Sequence, residues 1–129
     1  MIQVLDSGLV FRSPESDSPR RHTWHPTVVV LESGEMLAAF DVAPHAESLD
    51  YATFISRSSD EGRTWSPAKR LFQDPVQGRV TSFVRIARVG PHELVATGAR
   101  TYRQPGDTSL VNRNTLGFVP VDLIMLRSN

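Results

Sequence analysis

Cysteine is absent from the 129 residues. That excludes disulfide staples, thiolate nucleophiles and Cys-ligated zinc. Net charge is absent as well, because 14 Lys and Arg balance 14 Asp and Glu. Nucleic acid and anionic membranes are held through an excess of cations, so neither is expected as the main partner. Long apolar runs are missing too. The best, Val28-Val29-Val30-Leu31, falls far short of the ~18 residues of a membrane helix. The start Met1-Ile2-Gln3-Val4-Leu5-Asp6 has neither a basic stretch nor a long apolar one. No signal peptide is read there, and the chain as written is expected in the cytoplasm. Helical periodicity is equally scarce: no window of about 11 residues keeps apolar positions at i, i+3, i+4 and i+7. Nine prolines are spread along the length, which also disfavours helices.

What is present suits one small globular domain of 14.3 kDa, with 40% hydrophobic and 22% charged residues. Strand signals recur. Residues 2–5 and 8–12 read as short extended pieces. Pro26-Thr27-Val28-Val29-Val30-Leu31, the turn Glu32-Ser33-Gly34-Glu35 and Met36-Leu37-Ala38-Ala39-Phe40 read as a hairpin. A loop from Val42 to Leu49 leads into a strand over 51–57, and a further short strand is read over 68–72. Phe83 to Val89, the turn Gly90-Pro91-His92 and Glu93 to Thr97 form a second hairpin. A loop from about Gly98 to Pro120 then precedes a last strand over 121–127. Eight short strands and no helix predict an all-β fold.

The sharpest local signal is Ser58-Ser59-Asp60-Glu61-Gly62-Arg63-Thr64-Trp65. The chemistry suits a tight turn between strands. Asp60 accepts backbone N–H bonds, Gly62 takes a positive φ, and the Ser58 and Thr64 hydroxyls cap the strand ends. Trp65 buries its ring beneath the turn. The segment fits S-x-D-x-G-x-T-W at every defined position and resembles the Asp-box, or bacterial neuraminidase repeat, of sialidase-like β-propellers. In that family the box joins the third and fourth strands of a blade, away from the catalytic face, so Ser58, Asp60, Gly62, Thr64 and Trp65 are structural. The run Ile124-Met125-Leu126-Arg127-Ser128-Asn129 parallels Phe54-Ile55-Ser56-Arg57-Ser58-Ser59 and looks like the opening of a second box. The interval from Ser58 to Ser128 exceeds that from Gly34 to Gly90, which places an insertion between about Thr101 and Thr115.

On a six-bladed sialidase-type propeller, the resemblance implies a closing outer strand over 2–12 and a complete first blade over 26–72. Residues 80–127 would be a second blade lacking its last strand. Two blades cannot close a ring, and open sheet edges invite further pairing. Three copies supply six blades, so a homotrimer is expected, each N-terminal strand completing a neighbour's last blade. The alternative is a piece of a longer glycoside hydrolase, of exo-sialidase type, acting on a glycan.

His22-Thr23-Trp24-His25-Pro26 opens a stretch that looks like the first strand pair of a sialidase, and Trp24-His25-Pro26 stands where the family carries Arg-Ile-Pro, whose Arg binds the substrate carboxylate. A Trp cannot replace that bidentate clamp, so the departure predicts a chain without sialidase activity. For the acid/base role that the resemblance implies in the loop after Asp41, Asp50 comes first and Glu47 second, against the reading of solvated loop carboxylates. His22 and His25 form H-x-x-H, but on a strand a spacing of three puts the rings on opposite faces. A polar pair at the ring centre is expected rather than a metal site. Arg100-Thr101-Tyr102-Arg103 suits an acidic sugar or phosphate, against the commoner reading of a solvent-facing loop. Arg79 and Arg85 are read as solvent-facing in the same way. His25, Arg100 and Arg103 are thus candidate ligand-binding residues, a glycan the candidate ligand, and no cofactor or metal is called for.

Overall fold

The structure, a computed structural model, describes residues 3–4, 6–14, 21–72, 80–104, 106–107 and 109–128. Among them no helix forms, and seven strands make two antiparallel sheets. The first sheet runs β1 (His22–Val30), β2 (Met36–Ala43), β3 (Ala52–Ser58) and β4 (Lys69–Arg70), in that order across the sheet. The second runs β5 (Val80–Gly90), β6 (Glu93–Tyr102) and β7 (Val121–Ser128). The all-β expectation and both hairpins therefore hold. Of the expected strand over 2–12, the described residues join neither sheet, and the Phe11 ring lies 5.0 Å from that of Phe40. Arg79 and Asn129 lie outside the described residues.

β1 begins upstream of the expected start because a bulge absorbs the proline. Register passes from Trp24↔Asp41 to Thr27↔Ala39, leaving His25 and Pro26 opposite the single Phe40. Pro26, without an N–H, thereby costs the ladder no hydrogen bond, and His25 takes a left-handed φ of 53°. The turn after β1 closes with Leu31 N donating to Glu35 O at 2.8 Å, and Gly34 supplies its φ of 85°.

Between β3 and β4 the Asp60 carboxylate organises its turn. Ser58 Oγ and Thr64 N donate to Oδ1 at 2.7 and 2.9 Å, and Thr64 Oγ1 donates to Oδ2 at 2.6 Å. Gly62 N donates to Ser58 Oγ at 2.8 Å, with Gly62 at φ 86°. The half-buried Trp65 donates from Nε1 to Gly62 O at 3.0 Å. These bonds, led by those from Thr64, hold the Asp60 carboxyl down to about 2. Ser128 ends β7 opposite Leu94, just as Ser58 ends β3 opposite Met36. The two sheets thus repeat one register.

The sheets are joined through β5, which lies against β1, β2 and β3. Two amides of its free edge find side-chain acceptors there: Val84 N donates to Thr53 Oγ1 at 2.9 Å and Ile86 N to Thr27 Oγ1 at 3.4 Å. Val84 is fully buried at this seam, and β2 is buried from Leu37 to Ala43. Antiparallel order gathers the loops 44–51 and 103–120 at one end and the connections after β1, β3 and β5, the Asp60 turn included, at the other. Leu110 N donates to Glu47 O at 3.0 Å, tying these two loops together over Ala43, Leu49, Tyr51 and Leu110. The longer second loop is where the insertion was expected.

Candidate functional site

At the loop end, one carboxyl group sits where no water reaches it. Asp41 is fully buried in the apolar strand Met36–Ala43, on the sheet face that receives β5. Three groups satisfy it: Thr53 Oγ1 donates to Oδ1 at 2.7 Å, Arg85 NH1 donates to Oδ2 at 3.0 Å, and His25 Nδ1 lies 3.1 Å from Oδ2. Burial of such a group is tolerated only with partners of this kind. The bulge aims His25 at Asp41, since a residue in regular register would pair away from it. With Nδ1 engaged, Nε2 is the nitrogen left for the adjoining cavity.

That cavity has a volume of about 380 Å³ and is lined chiefly by Trp24, His25, Glu47, Tyr51, Phe83 and Phe118. Trp24 stacks on His25 at 4.8 Å with 13° between the rings, and His25 faces Phe83 at 6.4 Å and 18°. Tyr51 meets both Phe83 and His22 edge-on. Its hydroxyl and His22 Nε2 are buried without a hydrogen-bond partner among the described residues. Burial, and then the Asp41 carboxylate, push the Tyr51 phenol above its usual range. The expectation that His22 and His25 point to opposite faces is overturned. The left-handed residue and the register slip bring both rings into one aromatic cluster with Trp24. No group of three or more side chains that could hold a metal occurs among the described residues.

The other candidates are placed elsewhere. Asp50 is an exposed loop carboxylate, paired at 2.7 Å with Arg103 NH2. Both line a different cavity of about 390 Å³, together with Arg21 and Arg70, so Asp50 and His25 do not share a site. Arg103 is not solvent-facing. Its side chain is about four-fifths buried and donates to Leu49 O and to Thr81 Oγ1, stitching β6 to the 44–51 loop. Arg100, half-buried on β6, donates from Nε to Ser82 Oγ at 3.3 Å. Arg85, read from the sequence as solvent-facing, instead reaches across the seam to Asp41. Glu47, at a left-handed φ of 60°, does face the aromatic cavity.

Sequence reading passed over Asp41, Tyr51 and Phe83 as site residues. A signal for Asp41 was there, since it is the one charge in MLAAFDVA. No protein-family model, curated protein or solved structure matches the chain.

Proposed function

We propose that the chain forms two consecutive blades of a sialidase-like Asp-box propeller, the second lacking its outer strand. Three copies close a six-bladed ring that binds carbohydrate at its loop end and does not hydrolyse sialosides. The observation that carries this reading is the repeated register: Ser58 and Ser128 end equivalent strands of two meanders joined through β5. The Asp60 turn sits between the third and fourth strands of the first sheet, as the resemblance requires. β7 supports the ring, because among the described residues one of its ladder edges has no partner strand and Val121, Leu123 and Met125 are exposed on a single face. Three features support the reading of inactivity towards sialosides. Trp24 stands in the place of the family's carboxylate-binding Arg, Arg85 is engaged by Asp41, and Arg103 by Asp50.

Electron micrographs of the purified protein test the assembly. Ring-shaped particles with a central channel and threefold symmetry are expected. Small particles without symmetry would overturn it.

A further inference from the structure

We infer that the aromatic cavity at the loop end takes an uncharged pyranose ring rather than an acidic sugar. This rests on the carbohydrate-binding reading and names its ligand class. At about 380 Å³ the cavity lies in the range of ~300–1,000 Å³ usual for small-molecule sites. Its walls are mostly aromatic. Trp24 is half exposed and Phe118 about three-quarters exposed, so both leave ring surface open to a ligand. The C–H groups on one face of a pyranose carry slight positive charge and suit the negative faces of such rings. The polar groups among them include the His25 ring, the Glu47 carboxylate and the Tyr51 hydroxyl. Sugar hydroxyls both donate and accept, so they can donate to Glu47 and pair with His25 Nε2.

Charge sets the class. Glu47 is the one acidic or basic side chain other than His25 among the cavity-lining residues. No arginine or lysine is among the described lining residues, and the Arg85 guanidinium, which shares Asp41 with His25, is bound to that carboxylate at 3.0 Å. An acidic sugar would therefore meet a like charge and find no Lys or Arg among the described lining residues to clamp its carboxylate, a repulsive element that discriminates against it. A neutral sugar meets neither penalty.

The test uses the intact chain carrying Trp65→Phe, which leaves Trp24 as the sole indole of the two. Trp24 emission is titrated with the methyl glycosides of glucose, galactose and N-acetylglucosamine, and in parallel with N-acetylneuraminic acid. Saturable quenching by at least one neutral glycoside is expected, with the acidic sugar at least tenfold weaker. Phe118→Ala, at an exposed position outside the core, should weaken the neutral sugar about fivefold with unchanged circular dichroism. Tighter binding of the acidic sugar would overturn the charge argument and leave the carbohydrate reading standing. Saturation by none of the four would overturn both. Unchanged affinity in Phe118→Ala would overturn the placement in this cavity.

Discussion

Replacing Asp41 with Ala should be among the most damaging single changes to this chain. The carboxyl is wholly buried and anchors groups from three strands: His25 on β1, Thr53 on β3 and Arg85 on β5. Each hydrogen bond to a charged partner contributes about 1.5–3 kcal/mol net. Simple addition overstates the loss, because the Arg85 and His25 side chains are each about one-third exposed and can recover water. Thr53 cannot, since it is almost completely buried and also holds the Val84 amide. Breaking a buried pair by removing one partner costs about 3–5 kcal/mol, and Asp41→Ala should fall there. Urea unfolding at fixed protein concentration measures it. With a slope of about 1–3 kcal/mol/M, the midpoint should fall by at least about 1 M. Arg85→Met should cost less in the Asp41→Ala background than in the parent, since the guanidinium has by then lost its partner. A loss below about 1 kcal/mol at unchanged slope would refute the idea that this carboxyl locks the two sheets together.

Four further outcomes follow from the geometry. Asp60 is held at about 2 against an ordinary 3.8, so its turn stabilises the fold fully above pH 3.8 and loses that contribution as pH falls through 2. Thermal midpoints between pH 5 and 2 should drop more steeply in the parent than in Asp60→Asn. Trp65→Ala removes a half-buried ring and its bond to Gly62 O, and should cost about 1–3 kcal/mol by denaturant unfolding. Gly98→Ala would set a Cβ 2.0 Å from Phe83 O and 2.7 Å from Val84 Cα, both backbone atoms of β5. A loss of about 1–3 kcal/mol or more is expected by the same assay. Leu123→Arg, at a position 90% exposed in the single chain, should leave the circular dichroism spectrum unchanged and reduce the mass in solution to one chain.

Much of the fold was legible because strand and turn chemistry is local. β-branched runs, Gly34 and the Asp60 turn mark the first sheet without knowledge of anything distant. The bulge was not legible. Pro26 reads as a strand start, whereas His25 in a left-handed conformation lets β1 run on to His22. The lining of the candidate cavity was legible only in part. His25 and Glu47 do line the aromatic cavity, yet Asp50 and Arg103 pair at another. Arg85 and Asp41 meet from different sheets, 44 residues apart along the chain. A period of two along each strand says which residues share a face. It does not say which face the other sheet will cover, and that choice alone turned Arg85 from a solvated cation into an internal anchor.

The central claim of the proposed function is that copies of this chain complete one another. Absolute mass by light scattering, read across the size-exclusion peak at micromolar concentration, tests it most directly. A ring of three copies gives three times 14.3 kDa. A mass of 14.3 kDa would contradict the ring and leave β7 with an open edge in solution.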